Sequence, residues 1–210
     1  MGLANLSGQC SFEVALSGGL DSTVLLHLLC LARLQLPDIS LGAVHVHHGL
    51  SPRADSWAEH CQSLCANWDV PLRVERVCVE TSGGQSLEAE ARCLRYQAFD
   101  RSAAKVIVLA HHQDDQAETV MLQALRGGGV KAMAAMAGLH RRGAKWLWRP
   151  LLSVSRSQLE DYAREHTLTG WMTKAMPTPV GVAICCVTTF FRGCKNRYRN
   201  IGSTCAGLPV

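Results

Sequence analysis

Four short segments carry the residues able to do chemistry. The first is Ser17-Gly18-Gly19-Leu20-Asp21-Ser22, which follows the apolar run Phe12–Leu16 and opens directly into a helical apolar stretch. Two glycines permit positive φ and close backbone approach. The residues after them offer free N–H groups at a helix start, where an anion is favoured. Ser17, Ser22 and Thr23 add hydroxyls, and no Gly-Lys-Ser/Thr follows, so this is not a lysine-bearing Walker loop. The second segment, His45-Val46-His47-His48-Gly49-Leu50, ends a strand-like run, where histidines either meet a ligand or are simply solvated. The third, Ser86–Tyr96, carries Arg92 and Arg95 on one helix, with Glu88 and Arg92 spaced as an ordinary surface pair. The fourth is His111-His112-Gln113-Asp114-Asp115-Gln116-Ala117-Glu118-Thr119. Its carboxylates share a helix face and repel one another, which a cation or an ammonium-bearing substrate would offset; a charged helix start favoured by the dipole is the plainer alternative.

Alternating strand and helix signals must position these segments. Strands are expected at Ser11–Leu16, Ile39–Val46, Leu72–Val79 and Lys105–Ala110. Helices are expected at Ser22–Gln35, Asp55–Trp68, Ser86–Ala103, Asp114–Leu125 and Ser155–His166, with turns at Leu36-Pro37-Asp38 and Thr81–Gly84 and a stop at Gly127-Gly128-Gly129. Such alternation implies an α/β domain: a doubly wound, mostly parallel sheet with helices on both faces and its site at the carboxyl ends of the strands.

Bulk properties narrow the class. A chain of 210 residues, 48% hydrophobic and 18% charged, is globular and large enough for one domain with a sizeable core. The net charge of +4 permits an RNA partner without arguing for one. No membrane span is expected and no signal pattern opens the chain, which points to the cytoplasm. Cys10, Cys30, Cys61, Cys65, Cys78 and Cys93 read as reduced, core-like thiols, and the Cys61/Cys65 pair lacks the second pair a zinc site needs.

The Ser-Gly-Gly-Leu-Asp-Ser loop resembles the pyrophosphate loop of the N-type ATP pyrophosphatases. With the His-Val-His-His-Gly-Leu, Glu-Ala-Glu-Ala-Arg-Cys-Leu-Arg-Tyr and His-His-Gln-Asp-Asp-Gln-Ala-Glu-Thr segments, with Leu125–Gly129, and with Arg149-Pro150-Leu151-Leu152 followed by Ser155-Arg156, the chain resembles the tRNA(Ile)-lysidine synthetases from about Phe12 to Trp171. The resemblance implies an adenine nucleotide alpha-hydrolase-like fold and a two-step reaction. ATP adenylates the C2 carbonyl oxygen of the wobble cytidine in tRNA(Ile) with a CAU anticodon. The ε-amine of L-lysine then displaces AMP. The implied catalytic residues are Asp21, Asp115 and Glu118. Ser17, Gly18, Gly19, Leu20, Asp21 and Ser22 would hold ATP, and Asp21 the Mg²⁺. His47, Arg92, His112, Asp114 and Arg126 would contact substrate, and a homodimer is an open option. Two other readings stand beside this one: another ligase of the superfamily, such as a tRNA thiolase, and a non-catalytic nucleotide-binding remnant.

The resemblance stops after Trp171, where an Asp-Asp/Glu-x-Ser-Asn stretch and then a Leu-Arg-x-x-Ile-Leu-Pro-x-Leu helix would be expected. Shifting the reading frame at the third base of the Trp171 codon allows Asp-Asp-Glu-Ser-Asn from the codons of Trp171–Thr178. The same shift over Cys185–Cys194 allows Leu-Arg-His-Asn-Ile-Leu-Pro-Arg-Leu. The expected organisation is therefore a catalytic ATP-binding domain over 1–171 and an out-of-frame, poorly ordered tail over 172–210.

Overall fold

The computed structural model describes residues 10–36, 39–79, 86–127 and 135–168. The expectations for the tail, for the Thr81–Gly84 loop, for Pro37-Asp38 and for Gly128-Gly129 lie outside the described residues. Eleven elements follow in chain order: β1 (Cys10–Ala15), α1 (Leu20–Gln35), β2 (Ile39–His47), α2 (Ala54–Asn67), β3 (Leu72–Arg76), α3 (Leu87–Asp100), β4 (Val106–Val108), α4 (Gln113–Leu125), β5 (Leu139–Arg142), β6 (Lys145–Trp148) and α5 (Arg156–Glu165).

The strands form one sheet in the order β3-β2-β1-β4-β6-β5. All neighbours are parallel except β5 and β6, which pair as an antiparallel hairpin at one edge. This is the mostly parallel α/β architecture expected from the sequence, with the edge hairpin as an addition. The chain runs outward from β1 through β2 to β3, then returns to lay β4 against the other side of β1. Such a reversal leaves a crevice at the carboxyl ends of the two central strands.

The pleat sorts the core onto two faces. Val14 is in register with Val108, and Val108 with Trp148. These three join Leu25, Leu29, Cys61, Leu159 and Tyr162 in one buried cluster, which is covered by α1, α2 and α5. The residues between them, Ile107 and Leu147, point the other way and pack with Val44, Phe99 and Leu109 beneath α3. Alternation along each strand thus puts helices on both faces.

Several boundaries shift for local reasons. β3 ends at Arg76 rather than Val79, because its partner β2 ends at His47; the bond from Val77 N–H to the His47 carbonyl is the last between them. α3 ends at Asp100, where Ser102 N–H turns back to the Phe99 carbonyl. Ser86, where that helix is expected to begin, caps it, its hydroxyl accepting from Ala89 N–H. Cys61 and Cys65 are buried as core-like thiols, but Cys78 and Cys93 are exposed. Both lie just past or on an element's solvent side, where apolar neighbours in sequence do not become neighbours in space.

Candidate active site

The carboxyl ends of β1, β2 and β4 open on one cavity of about 510 Å³. Among its lining residues are Ser17, Asp21, Ser22, His47, Arg92 and Asp115, six of those singled out in the sequence.

The Ser17–Ser22 loop is braced from within. The Ser22 hydroxyl donates to the Gly19 carbonyl at 3.0 Å and accepts from Ser17 N–H at 3.2 Å. The Ser17 and Ser22 hydroxyls lie 3.0 Å apart, and Ser17 Oγ accepts from Gly19 N–H at 3.3 Å. Thr23 Oγ1 also donates to Gly19. The hydroxyls are therefore spent on shaping the turn. The donors left for an anion are the first N–H groups of α1, which have no acceptor inside the helix. Gly18 has φ +86, and a Cβ there would lie a tight 3.3 Å from Cys61 Sγ, so the backbone favours glycine.

Asp21 sits at the mouth of this loop. Its Oδ2 lies 3.8 Å from Arg156 Nη1 and 3.9 Å from His112 Nε2. Its Oδ1 is buried with no hydrogen-bond partner. Burial pushes the Asp21 carboxyl above its ordinary value, against the pull of Arg156 and His112.

The acidic helix does not act as one face. Asp115, at the third position of α4, accepts from His112 N–H at 2.9 Å and lines the cavity. Asp114 and Glu118 are exposed and lie outside the cavity lining, as does Arg126 at the exposed end of α4. His112 is buried against Asp21 and Asp115 rather than open to the cavity. His47 reaches the cavity wall, yet its Nε2 faces Asp55 Oδ1 at 3.2 Å, and Arg76 holds that carboxylate at 2.9 Å.

The opposite wall is basic and aromatic. Arg92 does not pair with Glu88 as spaced; its guanidinium turns to Tyr96, with Nη2 at 3.3 Å from the hydroxyl. Arg95, Tyr96, His48 and His111 complete this wall. Burial, with Arg95 nearby, lowers the pKa of His48. Burial also pushes the Cys61 and Cys65 thiols up to about 12 and about 11, so both stay protonated and unreactive. Three contacts had no counterpart in the sequence reading: Arg156 on Asp21, Arg149 on His111, and the Asp55–His47–Arg76 group. Arg149 and Arg156 did stand in a recognised motif; what the motif could not tell was where they reach.

An anion cradle, a half-buried carboxylate beside it, a second carboxylate against the same buried His112 and a basic wall on the other side are the features a nucleotide phosphate needs in a doubly wound α/β protein. The PP-loop domain family model matches residues 3–175, and the chain belongs to that family. It is 61% identical over 160 residues to the tRNA(Ile)-lysidine synthase of Chromobacterium violaceum, covering 76% of this chain and 37% of that protein. The tRNA(Ile)-lysidine synthase of Neisseria meningitidis serogroup B is 52% identical over 159 residues, covering 74% of this chain and 36% of its own. That of Haemophilus influenzae strain 86-028NP is 48% identical over 167 residues, 77% of this chain and 38% of its own. The chain thus spans little more than a third of the length of these curated relatives. The solved structure of the U34-tRNA thiolase NcsA from Methanococcus maripaludis with its [4Fe-4S] cluster superposes with a TM-score of 0.65 at 17% identity, over 93% of this chain and 70% of that one; the likeness is one of fold. Among the described residues, no helix is long and apolar enough to cross a membrane.

Proposed function

We propose that this chain carries the ATP-binding, adenylating part of a tRNA(Ile)-lysidine synthase. The observation that carries the reading is the shared cavity: the anion loop and Asp115 face one space, in a chain 61% identical to a lysidine synthase over 160 residues. The loop N–H groups would hold the pyrophosphate part of ATP. The O2 atom of the wobble cytidine would then bond to the α-phosphorus as pyrophosphate leaves. In the second step the lysine ε-amine would bond to C2 as the C2–O2 bond breaks and AMP departs. Asp115, in the cavity lining, would hold the lysine ammonium or take its proton, and exposed Glu118 would guide the amine from outside the cavity. Arg92, in the cavity wall, would meet phosphate; exposed Arg126 would reach the RNA, and exposed Asp114 would help attract the cationic lysine.

Mg²⁺ fits at Asp21. The orphaned Oδ1 supplies a buried anionic ligand. Among the described residues no three His, Cys, Asp or Glu side chains converge as a metal cage, so phosphate oxygens and water would complete the shell. When bound, the ion neutralises charge developing on pyrophosphate.

The tail belongs to the same proposal: residues 1–171 as the catalytic unit, and 172–210 as translation in the wrong frame. Resequencing the gene around the Gly170 and Trp171 codons tests this, and a confirmed frame encoding Met172–Val210 would defeat it. ATP–pyrophosphate exchange by the purified chain, with and without tRNA(Ile), tests the catalytic reading. Exchange that requires the tRNA supports it. ATP binding with no exchange, even after the frame is restored, would leave a nucleotide-binding module instead.

A further inference from the structure

Arg149 is a buried cation that the reaction above does not use. Only 8% of it is exposed, and among the described residues no carboxylate pairs with it. Burying an unpaired guanidinium is costly, so its hydrogen bonds must be specific. Its Nη1 donates to the Ala137 carbonyl at 3.0 Å, and its side chain also meets the Tyr96 hydroxyl. Its Nε lies 3.1 Å from His111 Nδ1.

That last contact points to one protonation state. A guanidinium only donates, so His111 Nδ1 must present its lone pair, and the ring proton sits on Nε2. His111 lines the cavity, and Nε2 is the ring nitrogen left for a ligand there. His45 shows the opposite arrangement in the same cavity. Its Nδ1 lies 2.8 Å from the Leu16 carbonyl, which only accepts, so its proton is on Nδ1 and its Nε2 is an acceptor.

We propose that Arg149 is a positioning residue that fixes His111 as a neutral Nε2–H donor, giving a hydrogen bond to an oxygen of the bound ATP and taking no proton during the reaction. The choice of ATP as ligand rests on the functional reading above; the tautomer does not. To act as a base, His111 would need a second proton at Nδ1, directly against the guanidinium. Its surroundings agree: burial most of all, then Arg149, with Arg92 and Arg95 on α3, outweigh Asp115 on α4 and push the imidazole down to about 4. A neutral donor keeps its charge state while negative charge builds on phosphate, and a preorganised donor needs no reorientation as that happens.

Two-bond ¹H–¹⁵N spectra of the 210-residue chain, labelled at histidine, read the tautomer directly. The expected result at neutral pH is an unprotonated Nδ1 and a protonated Nε2 on His111. A proton on Nδ1, or a charged ring, overturns the proposal. In Arg149→Met the ring should become a mixture of tautomers and titrate nearer the ordinary value of 6.5. A folded variant with an unchanged tautomer and titration overturns the role of Arg149. The segment that Arg149 braces keeps a second tether, because the Gln116 amide holds both backbone groups of Met136. Should the variant nonetheless fail to fold, the wild-type spectrum alone decides.

Titration with ATP tests the donor. His111→Ala should weaken binding by about 10- to 100-fold, the range for a hydrogen bond to a charged group. His111→Gln, whose amide N–H stands in for Nε2–H, should keep binding within about 3-fold. Equal losses in the two variants overturn the donor role. If the wild-type chain binds no ATP at all, the functional reading fails, while the spectra still decide the tautomer.

Discussion

Arg156 Nη1, at the start of the last described helix, lies 3.8 Å from Asp21 Oδ2, in the first turn of the first helix. The contact holds a carboxylate that burial disfavours, and only one of its oxygens is answered. Between the ordinary carboxyl value of 3.8 and the higher value in the folded chain, the folded state binds more protons than the unfolded one. Stability therefore falls as pH rises through that window, and at neutral pH the ionised Asp21 remains a cost. Asp21→Asn should abolish adenylation yet raise the melting temperature on the order of 2–4 °C. Calorimetry beside an exchange assay checks both. A variant that is less stable, or that adenylates normally, contradicts the role given to Asp21.

Gly18 and Gly19 should respond differently to alanine. Gly18 has φ +86 and a Cβ there would press on Cys61 Sγ at 3.3 Å, whereas Gly19 has φ −77. Gly18→Ala should cost about 1–2 kcal/mol from the left-handed backbone alone. Gly19→Ala should change stability by less than about 1 kcal/mol. Urea unfolding of the two variants makes the comparison.

Acid should unfold the chain early. Burial holds His27, His45, His48 and His111 below the ordinary imidazole value of 6.5, the last at about 4. The unfolded chain binds more protons than the folded one in that range, so the stability is present above it and lost as pH falls. The melting temperature should drop on the order of 5 °C between about pH 7 and pH 5. His27 Nδ1 lies 2.8 Å from the Tyr162 hydroxyl and ties α1 to α5. His27→Gln, neutral at every pH, should flatten the slope; an unchanged slope would remove His27 from the account.

Asp115 and Glu118 should separate in a mutant pair. Asp115 both lines the cavity and accepts from His112 N–H at the start of α4. Asp115→Asn should therefore lower stability by about 1 kcal/mol as well as activity. Glu118 is exposed and outside the cavity, so Glu118→Gln should leave ATP affinity unchanged and weaken lysine use in the frame-restored protein. Equal losses in apparent affinity for ATP and lysine would point to a role for Glu118 in shaping the site.

The sheet was legible where pattern is local. Val-Ile-Val-Leu at 106–109 announces a buried strand, and the helices expected from Ser86 and Ser155 begin there, each capped by its serine hydroxyl. The edge hairpin was not legible. Lys145–Trp148 is four residues long and Leu139–Arg142 is half arginine, so neither shows a strand-length apolar pattern; β6 is a strand through its pairing with β4, and β5 through its pairing with β6. The site divides in the same way. The anion loop and its helix are contiguous in sequence, and so is the bond between Asp115 and His112 N–H. Spacing placed Asp114, Asp115 and Glu118 on one helix face, but it carried no information on which of them the sheet edge would enclose. The reaches of Arg149 to His111 and Arg156 to Asp21 depend on how α5 and the hairpin dock, which no local pattern encodes.

The 210-residue chain as written should make little or no lysidine, because the Asp-Asp-x-Ser-Asn stretch expected after Trp171 is absent from it. Mass analysis of tRNA(Ile) after incubation with ATP, lysine and the protein tests this directly, comparing the chain as written with one whose frame is restored at Trp171. The account predicts a mass gain of one lysyl residue at the wobble cytidine with the restored frame only, dependent on ATP and abolished by Asp21→Asn. Sulfur incorporation, an unmodified tRNA from the restored protein, or robust lysidine from the unrepaired chain would contradict it.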